Sequence, residues 1–520
     1  MTQRVISVFL PRWPTDRLAR LQKQGRAGKT APSPDVAAET PVVMVGRVGR
    51  RRAIAHMNLA AAKAGLRRGQ AVAHATAMVS GLVLHDLDPE ADNAALQRLA
   101  LWAQRLYSPT VAADPPDGLV IDATGCAHLF GGEEKMLIDI RRRLSRAGYV
   151  SILAIADSWG GAHALARYSR RSIFVAPPGA LGRELNDLPV AALRLPPDTV
   201  LALAKPGFDT IGELEATAKG PLAHRFGMEP IRRLDQAHAR EREPIEPVFA
   251  PETPRAAKIF AEPIGARETL ARYLTELTVE LCATLEARTL GARTIDAWFH
   301  RVDHRIESAR IGLSKPARDA RRLSKLLCEK IERVDPGFGI DKIVLAAPGA
   351  EGLAYSQDDG LAAFGGAERA ADLSGLIDTL RLRLGPEAVY RLVSAESDIP
   401  ERSVRKAPAS EVAAAFSWPV DWPRPTRVLP HPEPIETVAL LPDQPPASFT
   451  WRGVRRRVRR ADGPERMFGE WWKTDAELAR SRDYFQVEDE SGERYWIYRD
   501  GDGEDAASGT QRWFLQGVFG

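Results

Sequence analysis

The chain has 520 residues and a net charge of +4, with 44% hydrophobic and 27% charged residues. At roughly 100–200 residues per domain, this length predicts about three to five domains of an ordinary globular protein. The near balance of charge excludes a strong overall electrostatic field, so local clusters of basic residues matter more than the total. No run of 18 apolar residues occurs, and the sequence therefore predicts no membrane span.

The cysteines and the N-terminus bear on cellular location. Cys126, Cys282 and Cys328 are far apart and form neither a CxxC motif nor a Cys/His ligand spacing. This pattern indicates neither a zinc site nor a disulfide framework. The first apolar run is too short for a signal peptide. We therefore expect a protein of the reducing cytoplasm, without a metal or another cofactor.

Residues 107–132 are the most informative stretch of the chain. Within them, Gly118–Asp122 is apolar and β-branched and follows a Pro-Pro-Asp turn, so it predicts a short β-strand. Acidic residues at both ends of a strand, here Asp117 and Asp122, can hold a divalent metal against a phosphate. Alternatively, Asp117 is a turn residue and Asp122 a strand-end cap, because Asp is common in turns.

The predicted elements around this stretch alternate between strands and helices. The strands are continuous apolar runs of the kind that is buried within a sheet. The helices follow capping residues or are rich in alanine. In chain order, we predict a strand at 5–10, a helix at 15–21, a strand at 41–45, a helix at 58–63, a strand at 150–156 and a helix at 161–168.

The segments LPRWPTDRLAR, DGLVIDATGCAHLFGG and AIADSWGGAHALARY, in this order, resemble the palm and fingers of Y-family translesion DNA polymerases. They resemble more closely the ImuB family, polymerase-like relatives from bacterial mutagenesis cassettes. The resemblance covers nearly the whole chain. It implies an α+β multidomain fold, a right hand of palm, fingers, helix-hairpin-helix thumb and little finger, with a small β-rich C-terminal domain. The expected boundaries are 1–170 for the palm with fingers inserted at about 35–80, 171–250 for the thumb, 255–348 for the little finger, 349–368 for a linker, 369–434 for a helical segment with a Pro-rich linker, and 435–520 for the last domain.

The resemblance also shows which catalytic positions have changed. Active family members carry a metal-binding Asp at the end of the first strand and an Asp-Glu pair before the second palm strand. Here Phe9 takes the first position, and Asp117 and Gly118 take the pair, so one of three carboxylates remains. Two-metal phosphoryl transfer needs several anionic oxygens around ions about 3.5–4 Å apart. The resemblance therefore implies a palm with no catalytic residue.

The fingers give the same indication. The Tyr and Arg that grip the incoming triphosphate in active relatives fall near Leu59 and Ala62, which offer neither a hydrogen bond nor a charge. The alternative is an active translesion polymerase with rearranged acidic residues, for instance Asp114, Asp117 and Asp122.

The middle of the chain resembles the thumb and little finger. Pro196 and Pro197 stand in the predicted thumb hairpin, and proline lacks the N–H that a phosphate contact needs. The following unit reads as two amphipathic helices on one face of an antiparallel sheet, with strands at 292–302, 306–313 and 340–345. We expect Pro348 to Gly352 to end that sheet. Its basic side chains are candidates for DNA phosphates or form an ordinary solvated face: Arg293, Arg301, Arg305, Arg310, Lys315 and Arg318.

Residues 356–366 look like an exposed linker that holds isolated apolar side chains. Such apolar anchors suit docking into a hydrophobic pocket. ImuB relatives carry a motif for binding the β sliding clamp here, and the resemblance assigns Gln357, Leu361 and Phe364 to it. Gln357 stands one residue further from Leu361 than usual, and Ala363 replaces a bulky apolar residue. The alternative is a linker whose apolar residues fold back on the body.

The last domain is the most aromatic part of the chain, and seven of the eleven tryptophans lie after residue 417. A small β-rich domain of this composition suits either a protein interface or single-stranded nucleic acid. The alternative is tryptophan as core filler with arginine on the rim. The resemblance to ImuB C-terminal regions implies partner binding by this domain, and its candidate residues are Trp451, Arg455, Arg456, Trp471, Trp472 and Trp496.

The resemblance implies a non-catalytic adaptor for error-prone translesion DNA synthesis in the DNA-damage response, associated with the nucleoid. Its expected partners are primer-template DNA, the β sliding clamp, the protein ImuA and an error-prone C-family DNA polymerase. A DNA-binding protein with no role at the clamp is a further alternative.

Overall fold

The structure is a computed structural model. It describes residues 3–25, 40–49, 51–353, 373–385, 387–411, 424–439, 444–470, 472–473, 477 and 480–520. The chain divides into two compact units, Met1–Ala371 and Asp372–Gly520. Within the ranges given above, no helix is long and apolar enough to cross a membrane.

The first unit begins with a five-stranded sheet, called the N-terminal sheet, and a smaller sheet inserted after its first helix. The N-terminal sheet has the order β5-β6-β1-β7-β8, and the inserted sheet has the order β3-β2-β4. The elements are β1 (Val5–Phe9), α1 (Trp13–Gly25), β2 (Val42–Val48), β3 (Arg51–Met57), α2 (Leu59–Lys63), α3 (Val72–Met78), β4 (Val83–Asp86), α4 (Pro89–Leu106), β5 (Val111–Asp114), β6 (Gly118–Asp122), α5 (Glu133–Arg146), β7 (Ile152–Ala156), α6 (Trp159–Tyr168) and β8 (Ile173–Val175).

The N-terminal sheet is covered by helices on both faces, which explains its continuous apolar strands. Side chains of a strand alternate between the two faces. On one face, Ile6 and Val8 of β1 share a core with Leu96 of α4 and Leu137 of α5. On the other face, α6 packs against the sheet. The two faces therefore present different surroundings to residues that are neighbours in sequence.

A cluster of short helices follows the N-terminal sheet. Its elements are α7 (Leu181–Leu185), α8 (Pro197–Ala204), α9 (Ile211–Glu215), α10 (Lys219–Phe226) and α11 (Glu229–Ala237). The start of α6 lies directly against the end of α11, where the Ser158 hydroxyl donates to the carbonyl of Ala237 at 2.7 Å. A Cβ on Gly160 would come within 2.9 Å of the Ala237 Cα. Glycine at this position therefore permits the close packing of the two helices.

The second sheet of this unit is four-stranded and antiparallel, in the order β11-β10-β12-β9. Its elements are β9 (Arg255–Ile264), α12 (Arg267–Ala287), β10 (Leu290–Arg301), β11 (Ile306–Ala317), α13 (Ala320–Ile331) and β12 (Ile340–Gly352). The prediction that Pro348 to Gly352 end the sheet is wrong, because β12 continues to Gly352 and pairs there with Leu290. Pro348 falls at a register shift, where a strand tolerates the missing N–H.

The second unit is built around a closed barrel of β15 to β20. Its elements are α14 (Ser374–Leu384), β13 (Tyr390–Ser394), β14 (Val404–Pro408), β15 (Arg427–Val438), β16 (Ser448–Trp451), β17 (Val454–Phe468), β18 (Ser481–Asp489), β19 (Arg494–Asp500) and β20 (Trp513–Val518). The barrel core includes Phe449, Phe485, Ile497 and Leu515. The predicted α+β fold with a β-rich C-terminal domain is confirmed, whereas closure into a barrel was not predicted.

Candidate functional site

The end of β1 and the start of β6 meet where the resemblance implies a metal-binding centre. Phe9 is the cross-strand partner of Gly118 in the sheet. On the other side of β6, Gly118 is paired with Asp114 of β5. The backbone N–H of Leu10 donates to the carbonyl of Asp117 at 2.8 Å. The sheet thus brings the three positions selected from the sequence together, and adds Asp114 to them.

The guanidinium of Arg167, from α6, lies among these residues. Its Nη2 is 3.0 Å from a carboxylate oxygen of Asp117 and 3.4 Å from one of Asp114. Its central carbon lies 4.8 Å from the centroid of the Phe9 ring, in cation–π geometry. Its Nη1 donates to the hydroxyl of Ser7 at 3.4 Å. We call Ser7, Phe9, Asp114, Asp117 and Arg167 the Arg167 cluster.

Gly118 provides space for this guanidinium. A Cβ on residue 118 would lie 2.7 Å from Nη2 of Arg167 and 2.9 Å from the carbonyl oxygen of Val8. Real Cβ atoms do not make contacts this short. A glutamate at this position, which the active family pattern has, would therefore displace the Arg167 side chain and strain the strand.

His163 holds the second carboxylate of the cluster. Its Nδ1 is 3.0 Å from Asp114. Burial acts to raise the pKa of Asp114, but the hydrogen bond from His163 and the charges of His163 and Arg167 outweigh it and hold the pKa below its ordinary value. Burial lowers the pKa of His163, against the opposing influence of Asp114. With Asp114 ionised, the Nδ1–H of His163 donates to its carboxylate.

Asp122 lies at the opposite end of β6, opposite Val5 rather than Phe9. Asp122 is four residues further along the strand than Gly118, which places the two about 13 Å apart. Its carboxylate accepts from the backbone N–H of Thr124 at 2.9 Å, and burial raises its pKa. The three carboxylates of the active-polymerase alternative, Asp114, Asp117 and Asp122, are therefore not brought together.

The residues at this centre do not fit a pair of divalent metal ions. A permanent cation already lies between Asp114 and Asp117. Over the part of the chain that the structure describes, no group of three or more His, Cys, Asp or Glu side chains could hold a metal ion.

The turn between α2 and α3 contributes a basic neighbour. Arg68 donates to the carbonyl of Pro11 at 2.8 Å, and its guanidinium is 3.1 Å from Nδ1 of His56. Burial, followed by the charge of Arg68, lowers the pKa of His56 to about 4. Leu59 is 44% exposed and Ala62 is also exposed, so the positions expected to grip a triphosphate present only apolar groups.

Arg301, Arg305 and Arg310 of the predicted DNA contacts form short ion pairs within the protein. Arg301 is 2.7 Å from Asp303, and Arg305 is 2.5 Å from Glu307. Arg310 makes a bidentate pair with its cross-strand partner Asp296, at 2.6 and 2.7 Å, and Asp296 is fully buried. The sequence separates these partners by two, two and fourteen residues, and only the hairpin register reveals the third pair.

The other three predicted DNA contacts keep part of their side chains at the surface. Lys315 is exposed, and the Arg293 side chain is 38% exposed although it also donates to the carbonyl of Ser314. Arg318 is half-buried. The predicted clamp-binding residues Gln357, Leu361 and Phe364 lie outside the described residues.

The predicted partner-binding residues of the C-terminal domain differ widely in exposure. Trp496 is 2% exposed and belongs to the interior. Trp451 donates to Glu433 at 2.7 Å, and Arg456 pairs with Asp489 at 2.8 Å, so both are engaged in the barrel wall. Arg455 and Trp472 are exposed. Trp471 lies outside the described residues.

The sequence reasoning missed His163 and Arg167. They are four residues apart, which places both on one face of a helix. Most of the other residues of α6 are small and buried, including Ala162, Ala164 and Ala166. Two titratable side chains at this spacing in an otherwise apolar helix were the available signal.

Three family models match this chain. The impB/mucB/samB family matches residues 31–162, and the impB/mucB/samB family C-terminal domain matches residues 256–358. A domain of unknown function, DUF6504, matches residues 431–519, which hold the barrel.

The solved structures that resemble the chain share little sequence with it. The insertion ternary complex of Dbh DNA polymerase has 15% identity and a TM-score of 0.36, and covers 67% of this chain and 99% of its own. DinB from Sulfolobus solfataricus has 15% identity and a TM-score of 0.36, over 68% of this chain and all of its own.

Similar proteins are found at higher identity. DNA polymerase IV 2 of Mesorhizobium japonicum is 25% identical over 56% of this chain and 74% of its own length. Protein ImuB of Caulobacter vibrioides (strain NA1000 / CB15N) is 43% identical over 465 residues, which span 88% of this chain and all of that protein. The chain therefore belongs to the ImuB family of Y-family polymerase-like proteins.

Proposed function

We propose that this chain is a non-catalytic, polymerase-shaped adaptor for error-prone translesion DNA synthesis. In this role it binds primer-template DNA and the β sliding clamp, and it recruits ImuA and an error-prone C-family DNA polymerase in the DNA-damage response. Family membership supports the general role. The Arg167 cluster is the observation that supports the loss of polymerase activity.

The Arg167 cluster supports a non-catalytic palm for an electrostatic reason. The Arg167 guanidinium is a permanent cation and lies between Asp114 and Asp117, both less than 10% exposed. Two divalent ions at this place would have to displace it from two buried carboxylates, and removing one partner of a buried ion pair costs about 3–5 kcal/mol. Phe9 and Gly118 supply no compensating anionic oxygen. One of the two carboxylate charges at this centre is therefore already balanced by a cation of the protein itself.

DNA binding is supported by the related polymerases and by the exposed basic residues of the second sheet. Lys315 and Arg293 are the candidate phosphate contacts of this surface. Each phosphate contact that is lost should reduce the salt dependence of binding by about one unit in the log–log slope. We expect Lys315→Glu to weaken primer-template binding measured by fluorescence anisotropy, and Arg141→Glu, at an exposed arginine of α5, to serve as the matched control.

Clamp binding rests on the motif of Gln357, Leu361 and Phe364, and recruitment of the other partners rests on the family resemblance. We expect Leu361→Ala combined with Phe364→Ala to abolish capture of the β clamp in a pull-down. Unchanged capture would remove the linker assignment and favour a DNA-binding protein with no clamp role.

Primer extension tests the central part of the proposal. We expect the purified full chain with Mg²⁺ to add no nucleotide to a primer on an undamaged or abasic template, while DNA polymerase IV of Caulobacter vibrioides serves as the positive control. Incorporation by the full chain that Asp117→Ala abolishes would overturn the proposal and identify an active polymerase.

A further inference from the structure

The helices that cover the N-terminal sheet on the face opposite to α6 form a groove on their outer side. The groove lies between α1, α4 and α5 and has a volume of about 650 Å³. A second hollow of about 530 Å³ continues along α4 as far as Leu106 and shares Arg98, Trp102 and Arg143 with the first. We call the two together the α1–α4–α5 groove.

The walls of this groove are strongly basic. Five of the twelve residues that line the larger part are arginines, and none is acidic. Arg17 is paired with Asp92 at 2.5 Å, and Arg143 with Asp139 at 2.8 Å. The other three, Arg20, Arg98 and Arg146, are exposed, as is Arg105 of the second hollow, and none of these four has a carboxylate partner in the described structure.

The floor of the groove is apolar. On α1, Leu21 is 50% exposed. On α4, Leu106 is 42% exposed, and Leu99 and Trp102 are partly buried. Along α4, Ala95, Leu99, Trp102 and Leu106 follow the spacing of one helix face. From Ala95 to Leu106 this stripe is about 17 Å long, which is the length of about three helical turns.

We propose that the α1–α4–α5 groove is the docking site for an acidic amphipathic helix of a partner protein. The apolar face of such a helix would lie on Leu21, Leu99 and Trp102. Its carboxylates would pair with Arg98 and Arg146, because guanidinium groups bind carboxylates in bidentate geometry. The site goes beyond the functions proposed above, since it involves neither DNA nor the clamp motif nor the barrel.

The shape and composition of the groove favour a helix over nucleic acid. A phosphate backbone would find its arginines, but the exposed leucines offer nothing to a phosphate or to a base edge. An amphipathic helix would contact both the basic walls and the apolar floor of the groove. The groove also opens on the face of the N-terminal sheet opposite to the Arg167 cluster, so both surfaces could be occupied at once.

Fluorescence anisotropy with a labelled peptide tests the proposal. The probe is an 18-residue helix with leucines at positions i, i+3, i+7 and i+11 and glutamates beside them, and a scrambled peptide of the same composition is compared. On the full chain, we expect Arg98→Glu combined with Arg146→Glu to weaken binding of the probe by about tenfold or more. Leu21→Asp should weaken it by about fivefold.

Matched controls separate docking from general attraction between charges. Arg141→Glu, at an exposed α5 arginine outside the groove, should change binding by less than about twofold. Circular dichroism should show unaltered melting for all variants, because each altered side chain is exposed. Equal binding of the scrambled peptide, or an equal effect of Arg141→Glu, would overturn the proposal.

Other occupants of the groove give different results, and each would overturn the proposal. If a single-stranded oligonucleotide of equal charge binds more tightly than the peptide and depends on the same arginines, the occupant is nucleic acid. If light scattering shows a dimer that Arg98→Glu with Arg146→Glu dissociates, it is a second copy. If the peptide binds only after residues 26–39 are replaced by Gly and Ser, it is this chain's own segment.

Discussion

At the residue scale, Arg167 is the side chain that connects the residues around the end of β1 and the start of β6. It is the cation that lies against Asp114 and Asp117, it stacks over Phe9, and it occupies the space that a side chain on residue 118 would need. The identities of residues 9 and 118 and the position of this guanidinium are therefore structurally linked. A carboxylate placed at position 9 or 118 alone would still lie beside the Arg167 guanidinium and the unchanged residue at the other position.

Replacing Arg167 should destabilise the first unit. Arg167→Met would leave two buried carboxylates without their cation, and we expect the free energy of unfolding to fall by about 3 kcal/mol. Urea unfolding followed by tryptophan fluorescence measures the change. Arg170→Met, at an exposed arginine of the same segment, is the matched control and should change stability by less than about 0.5 kcal/mol. An Arg167→Met variant as stable as the parent would contradict the buried ion pair.

His56 gives a prediction for pH dependence. Its pKa is lowered to about 4, whereas an unfolded histidine titrates near 6.5. Its contribution to stability is therefore complete above pH 6.5 and is lost as the pH falls towards 4, because the unfolded chain then binds the extra proton. An NMR titration of ¹³C-labelled histidine, with His56→Gln to assign the signal, measures the pKa. A midpoint near pH 6.5 would disprove the assignment.

At the scale of elements, the β10–β11 hairpin determines what its arginines do. Arg310 and Asp296 are cross-strand partners, and Arg310 also donates to the backbone carbonyl of Gln104 at the end of α4, at 2.9 Å. This contact joins the second sheet to a helix of the N-terminal sheet. Arg310, a DNA contact in the sequence-based prediction, thus forms internal contacts that link the second sheet to α4.

Disrupting the Arg310–Asp296 pair should lower the free energy of unfolding more when one partner is removed than when both are removed. We expect Arg310→Leu to lower the free energy of unfolding by about 3–5 kcal/mol, because Asp296 is left buried and uncompensated. Arg310→Leu with Asp296→Leu should recover a large part of that loss in urea unfolding. Arg321→Ala, at an exposed arginine of α13, is the control. Strictly additive effects of the two single changes would refute the coupling.

At the scale of the whole molecule, the two compact units have separate cores. In the second unit, the segment before the barrel is tied to it by ion pairs. Arg402 lies 2.7 Å from Glu470 and 2.6 Å from Glu477, and Glu401 lies 2.9 Å from Arg482. Glu470 is 2% exposed, so its negative charge depends on these partners.

The second unit should fold by itself, and its stability should depend on that segment. We expect residues 372–520 to unfold in one cooperative transition in guanidinium chloride. Residues 424–520, which lack Glu401 and Arg402, should be less stable by about 2–3 kcal/mol, since Glu470 loses a charged partner in a buried position. Absence of a cooperative transition in the longer fragment would contradict its independence.

The Gly118–Asp122 strand and the amphipathic helix from Arg267 to Ala287 could be predicted from the sequence because their apolar patterns are local and strong. The sequence, interpreted through the family resemblance, also predicted that Phe9, Asp117 and Gly118 lie at one centre. It missed Arg167, because a side chain 50 residues from Asp117 reaches it only through the packing of α6 on the sheet. The continuation of β12 through Pro348 depended on register shifts that no local pattern encodes.

By itself, the sequence determined the fold class and the membership in a polymerase-like family, because these depend on residue identity and local periodicity. Only the tertiary structure decided which charges are internal and which are available. Asp117 is held by Arg167 and Asp296 by Arg310, while Arg98 and Arg146 remain at the surface. The physical reason is that an ion pair is a property of distance in space, which neighbours in the chain do not specify.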